Sequence, residues 1–426
     1  MASASLLLAL WLLLFLANHV WETVLDVLNL GHGRSRPPDE LGDRLDGATH
    51  ARMRTYQRAR GLVGLPSRWT RVAVTVALVV SGGLGWLHDL LHGLGLSPYL
   101  HGLLFIGALS TASTLIGLPF GLYRVFGIER RFGFNTMTWR TLLADLIKGT
   151  ALGIVLGVPL LLAVFVLVDR GGELWWLYAF ALVGAFQLMV SAVYPTLIAP
   201  IFNKFTPLPP SSLRERLETL ATRLDFRVRD LQVMDGSRRS RHSNAYFAGL
   251  GRAKRVVLFD TLVEQLDEGQ LAAVLAHEIG HQKRRHVSKR LGVSLLLLLV
   301  AFWVLGRLLH FDPLYQALGF ASSGDGTAAL LVVVQLALPA LLFVFNPLLS
   351  GWSRRQEFDA DRFAAAAMAG HEEMTGALLQ LARDNLSDTA PHPWYSAYHY
   401  SHPPLVERLR ALRTFEAPLP GQPPVA

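Results

Sequence analysis

The chain contains no cysteine. Disulfides, thiolate metal ligands, cysteine nucleophiles and prenylation of this chain are therefore excluded. Any transition metal has to be held by histidine and carboxylate. Charge is scarce as well: 17% of residues are Asp, Glu, Lys or Arg, against about 25% in ordinary soluble domains. There is no long internal repeat, and compositional bias is confined to a Pro-rich end, Pro418–Pro424. What is abundant is apolar surface, at 51% of residues, and this balance points to a bilayer.

A membrane span needs an uncharged run of roughly 20 residues. Such runs are Met1–Trp21, Val72–His88, Leu103–Tyr123, Gly149–Val168, Leu174–Phe202, the shorter Leu291–Gly306, and Ala328–Leu349. Each must satisfy its own backbone hydrogen bonds in lipid, so all seven are expected to be helices. Met1–Trp21 lacks a basic leader and a small-x-small cleavage site, which predicts a retained span. Gly149, Gly153 and Gly157 stand four apart on one face of the fourth run, a spacing that predicts close helix packing.

The net charge of +8 does not call for nucleic acid, because the cations are segregated. Nine Arg lie from Arg34 to Arg71, read as a loop, and Arg124, Arg130, Arg131, Arg140 and Lys148 lie between the third and fourth runs. The intervening loops are nearly bare. Positive residues mark the cytoplasmic side, which predicts an N-terminus outside and a C-terminus inside. The chain divides into residues 1–203 with five spans, 204–286 as a soluble part, 287–350 as a two-span hairpin, and 351–426 as a soluble C-terminal part.

Within the soluble part, Leu213, Leu217, Leu220 and Leu224 form one helical stripe. Phe226–Val233 and Arg255–Phe259 read as strands, and helical periodicity returns from about Leu262 through His286. That last helix carries His277-Glu278-Ile279-Gly280-His281. Two His at i and i+4 share a helical face and can reach one zinc ion, with Glu278 as general base. The pentapeptide needs a third ligand, and the candidate is Glu357, which shares a helical face with Asp361. One of that pair would bind metal while the other accepts a hydrogen bond from a ligating His.

Depth ties the two motifs together. The sixth run begins at Leu291, ten residues after His281, or about 15 Å if helical. The seventh ends near Leu349, eight residues before Glu357, or about 12 Å. An antiparallel hairpin with both ends on one side therefore lifts both ligand sets to similar height, which predicts a single Zn²⁺ held by His277, His281 and Glu357.

The sequence resembles the type I CAAX prenyl protease family, integral membrane zinc metalloendopeptidases. The likeness runs through Leu118-Pro119-Phe120 and Gly133-Phe134-Asn135, Ile198-Ala199-Pro200, Phe205-Thr206-Pro207-Leu208-Pro209, and His242-Ser243-Asn244-Ala245-Tyr246-Phe247. It continues through Val257-Leu258-Phe259-Asp260, the pentapeptide, the Glu357 motif and His402-Pro403-Pro404 with Arg408. The resemblance implies an α-helical polytopic membrane protein in which about seven transmembrane helices enclose a chamber, with a small α+β zinc-metallopeptidase part on the cytoplasmic side. It implies peptide or protein substrates with prenylated C-termini. It also implies that Asn244 holds the substrate main chain beside a strand edge, that His402 donates to the oxyanion, and that Arg408 steadies the carboxylates around the metal. His399 is left as structural. The Arg-rich stretch from Gly31 to Ser67 matches nothing in the family pattern. Two other functions stay open: a quality-control protease for misfolded or stalled membrane proteins, and a non-catalytic membrane scaffold with a structural metal.

Overall fold

The computed structural model describes residues 2–32, 37–41, 44–228, 230–248 and 255–414. Arg34, Arg36, Arg229 and the Pro-rich end Pro418–Pro424 lie outside the described residues. Among the described residues seven helices are long and apolar enough to cross a membrane: Ser3–His32, Gly47–Val80, Pro98–Glu129, Trp139–Arg170, Gly172–Phe202, His286–Leu308 and Thr327–Ala367. They are called spans 1 to 7 below. Their outer faces leave Leu6, Leu115, Ile154, Val155 and Leu197 exposed, as lipid-facing residues must be. Their inner faces meet in an apolar cluster around Trp11, Phe105, Phe165, Trp175 and Tyr315.

Two expectations shift here. The apolar run Val72–His88 is not one span, because Gly82 takes a left-handed conformation at φ 70° and starts a separate short helix, Gly83–His92. Span 2 instead extends back to Gly47, so Arg52, Arg54, Arg58, Arg60, Arg68 and Arg71 sit on a helix rather than in a loop. The second correction concerns Gly149, Gly153 and Gly157, where a Cβ would find no atom within 4 Å. Their spacing permits close packing, but they face open space; span 4 buries Val164 and Phe165 nearer its other end.

A four-stranded sheet packs on the end of the bundle, with strands β1 Phe205–Pro207, β2 Asp230–Met234, β3 Ala245–Ala248 and β4 Arg255–Phe259. Their spatial order is β1-β2-β4-β3. The pairing of β2 with β4 is parallel, and β1 and β3 add antiparallel at the two edges. Val256 and Leu258 point into a second core with Leu213, Leu217 and Leu220 of the helix Ser212–Arg223 and the apolar positions of Glu268–Lys283. Met53 and Tyr56 from the first turns of span 2 join this same core, which couples the sheet to the membrane bundle.

The helix expected from Leu262 through His286 is interrupted. Asp260–Gln265 ends before Asp267, whose side chain caps Glu268–Lys283 in a capping box with Gln270. That helix ends in turn at Arg285, which adopts φ 55°. Lys283, Arg284 and Arg285 place positive charge at its C-terminus, the favoured end of the helix dipole. Span 6 then starts in a new direction at His286.

Candidate active site

Helix Glu268–Lys283 is buried nearly all round, from Leu271 through Gly280. It packs on Asn346–Ala367, the C-terminal part of span 7. Small residues make the approach close. Ala360, Ala364 and Ala365 are fully buried, and a Cβ on Gly280 would lie 3.1 Å from the Phe363 side chain. Gly280 thus has a packing role within the pentapeptide, independent of any ligand.

Close packing brings His277, His281 and Glu357 together. His277 Nε2 lies 3.2 Å from His281 Nε2 and 3.4 Å from Glu357 Oε2, while His281 Nε2 lies 3.5 Å from Glu357 Oε1. Four ligands at about 2.0–2.2 Å from one ion at tetrahedral angles stand about 3.3–3.6 Å apart. Glu357 is 1% exposed, yet its Oε2 makes no hydrogen bond of acceptable geometry. A buried carboxylate left in that state is costly unless a cation meets it. Donor chemistry and spacing fit a metal ion, and Arg290 Nη2 and His402 Nδ1 also reach this carboxylate, at 3.5 and 2.8 Å.

The surroundings orient these groups. Asp361 Oδ1 is 2.8 Å from His277 Nδ1, and Arg408 donates to both Asp361 oxygens at 2.7 and 2.6 Å. Burial alone would push the His277 imidazole down, but the neighbouring Asp361 and Glu357 carboxylates overcome it and hold the ring at about 9. The acids therefore draw positive charge, proton or metal, onto this ring. His281 Nδ1 is 3.0 Å from His286 Nδ1, and His286 Nε2 is 3.3 Å from Asp359.

A cleft of about 480 Å³ opens beside the ligands, lined by Asn244, Glu278, His402 and Arg408 among others. Burial raises the Glu278 carboxyl, with His277 and His281 opposing the shift. His402 is exposed on its side chain and reaches Glu357 Oε2 at 2.8 Å through Nδ1. Asn244 borders the edge strand β3, and its carbonyl accepts from Phe259 N–H. All eight side chains singled out in the sequence fall around this one cleft and ligand cluster.

Several contributors had no role assigned from the sequence, although His242 and Ser243 fall within a stretch that carries the family resemblance. Arg354 Nη1 donates to the carbonyls of Ser396, Ala397 and Tyr400 at 2.9–3.0 Å, which holds the segment leading to His402. His242 approaches Glu129 at 3.2 Å, Tyr56 at 3.3 Å and Asn385 at 2.9 Å. Asn385 also accepts from Ser243 N–H, which anchors the start of β3. Such partners lie far apart in sequence, and single residues of common type carry no signal alone.

Residues 26–204 match the family described as CAAX prenyl protease N-terminal, five membrane helices, and residues 207–416 match peptidase family M48. The CAAX prenyl protease 1 homolog of Arabidopsis thaliana is 37% identical over 92% of this chain and 94% of its own length. The Homo sapiens homolog is 31% identical over 93% of each chain. A crystal structure of S. mikatae Ste24p superimposes with a TM-score of 0.87 at 30% identity, covering 95% of this chain and 98% of the other.

Proposed function

The chain belongs to the CAAX prenyl protease family of M48 metallopeptidases, and from that premise we propose a zinc endopeptidase that processes prenylated C-termini. It is a multi-pass membrane protein acting on peptide or protein substrates. The observation that carries the site assignment is the 3.2–3.5 Å triangle of His277, His281 and Glu357, which suits one Zn²⁺ with a fourth position free. Bound there, zinc supplies Lewis acidity and acidifies water at neutral pH.

The chain's own residues do the rest. A substrate adds as an extended strand along β3, its main chain held by the Asn244 amide. Glu278 takes a proton from the attacking water and passes it to the leaving amine. His402 donates to the oxyanion that develops at the scissile carbonyl. Asp361, held by Arg408, keeps His277 aimed at the ion. The active site and C-terminus face the cytoplasm in this reading. Arg130 and Arg131 support it, because their loop joins the sheet through Arg241 N–H donating to the Phe134 carbonyl.

A second reading, clearance of misfolded or stalled membrane proteins, is favoured by one feature. A cavity of about 1230 Å³ adjoins the cleft, larger than the roughly 300–1,000 Å³ of small-ligand sites. A scaffold with a structural metal is disfavoured, since Glu278 lines the cleft and a structural site uses four protein ligands. The deciding experiment gives purified protein a farnesylated peptide and the same peptide without the lipid. Faster cleavage of the farnesylated form, lost with 1,10-phenanthroline and restored by zinc, is expected. Equal rates on both would favour the clearance reading, and no cleavage of either by zinc-loaded protein would remove both.

A further inference from the structure

The cavity next to the cleft has a charge that nothing above uses. Six arginines line it: Arg54, Arg58, Arg60, Arg68 and Arg71 on span 2 and Arg124 on span 3. On span 2 the positions 54, 58, 61, 64, 68 and 71 follow helical spacing, so this stripe with Gly61 and Gly64 forms one face. Charged side chains within membrane-spanning helices are costly unless they face water or a partner. Their place on the cavity wall says which.

Partners do not cancel the charge. Among the described residues the carboxylates on the wall are Glu22, Asp26 and Asp388. Arg68 takes the first two, at 3.1 Å from Glu22 and 2.5 Å from Asp26. Asp388 accepts from Asn29 Nδ2 and Ala390 N–H, and its burial raises its carboxyl. Arg60 lies over the Tyr56 ring and 4.0 Å from Glu129, and Arg71 donates to Ser67 Oγ. Among the described residues no carboxylate pairs with Arg54, Arg58 or Arg124.

Gln57, Arg60, Ser387, Asp388 and Tyr400 line both the cavity and the catalytic cleft, so the two spaces adjoin along these side chains. Gly64, Gly117 and Gly121 open onto free space where a Cβ would stand, which leaves the wall clear for an extended chain. If cleavage is near a C-terminus, the long part of the substrate is the part upstream of the scissile bond, and that is what fills the chamber.

We propose that this arginine wall is a specificity site that binds acidic side chains of the substrate upstream of the scissile bond and rejects basic ones. The proposal rests on the endopeptidase reading above. Long-range pairing across water-filled space is screened by salt, so the preference belongs to low ionic strength and fades as salt rises.

The test uses three farnesylated peptides with the same last six residues and an upstream stretch of Glu, Ser or Lys, plus a short peptide without that stretch. The enzyme is in neutral vesicles. At low salt kcat/KM should fall in the order Glu, Ser, Lys, by about tenfold from first to last, and the gap should close at high salt. The Arg54→Glu/Arg58→Glu/Arg124→Glu variant should reverse the order, and Arg54→Gln/Arg58→Gln/Arg124→Gln should flatten it if the reversal does not fold. All three enzymes should cleave the short peptide alike. Equal rates on the three peptides by the wild type would overturn the wall's role, as would an order unchanged in the glutamine variant. A preference that appears only when phosphatidylglycerol is added would assign the arginines to lipid headgroups and overturn the peptide assignment. Failure of the wild type on the short peptide would instead count against the endopeptidase reading itself.

Discussion

Arg408 donates to both oxygens of Asp361, at 2.6 and 2.7 Å, from a helix that follows His402 in the chain. Asp361 in turn stands against the Nδ1 edge of His277, the edge opposite the candidate metal. In the proposed site Arg408 would act on the ion through two intermediates without touching it. Replacing Arg408 by Met, which keeps the apolar stem, is expected to weaken zinc affinity by about 10–100-fold. Competition with a chelator of known affinity measures this; unchanged affinity would remove Arg408 from the site.

Glu278 supplies the second prediction. Glu278→Gln is close in shape and leaves His277, His281 and Glu357 in place. Zinc content should stay at one ion per chain while cleavage falls by at least about 10²–10⁴-fold. Metal analysis and single-turnover cleavage on the same preparation separate the two readouts. Full activity in the variant would refute the base assignment.

The same residue predicts a pH dependence. Burial raises the Glu278 carboxyl above its usual 4.5, against the pull of His277 and His281. A zinc ion held beside it would pull the other way, so the raised value belongs to the metal-free protein. There the carboxyl titration present in wild type and absent in Glu278→Gln, read by infrared difference, should lie above 4.5. A titration at or below that value would contradict the burial argument.

How much of this was legible in the chain depends on where the signal resides. His277, Glu278 and His281 stood out as candidates because metal chemistry demands rare residue types at fixed spacing, and Glu357 followed from the depth argument; the fold brings His277, His281 and Glu357 together. Span 2 was misplaced because a hydropathy run counts every arginine as a loop residue. Arg54 and Arg58 are charged yet belong on a spanning helix, since they face an internal cavity rather than lipid. Strands β1 and β3, with three and four residues, are too short for period-two alternation to register. The helix end expected at His286 lies one residue from the observed stop at Arg285, whereas the interruption at Asp267 was hidden because Leu262, Leu266 and Leu271 carry one buried apolar pattern across it. Gly149, Gly153 and Gly157 show the reverse failure, a packing motif with no packing partner.

Gly280 converts packing into a prediction. Its missing side chain lets Phe363 approach, and a Cβ would lie 3.1 Å from that ring's atoms. Gly280→Leu should push the two ligand-bearing helices apart, destabilise the protein by about 1–3 kcal/mol and lower zinc occupancy. Combining it with Phe363→Ala should recover part of both losses, because the second change vacates the volume the first one needs. Thermal unfolding and metal content of the four proteins form the cycle. Strict additivity would mean that the two positions do not oppose each other.

Arg354 offers a way to perturb His402 without touching the metal. Its Nη1 holds the carbonyls of Ser396, Ala397 and Tyr400, and Tyr400 is two residues from His402. Arg354→Met removes those bonds and frees the segment, while His277, His281 and Glu357 keep their neighbours. Misplacement by about 1 Å can reduce turnover by 10²-fold, so kcat should drop by roughly 10–100-fold. KM for a farnesylated peptide should change much less, because the donor to the oxyanion matters most in the transition state. His402→Ala should lower kcat similarly, and adding Arg354→Met to it should cost little more, since both remove one function. If the double variant instead loses the product of the two effects, Arg354 acts elsewhere in the site and the link to His402 is broken.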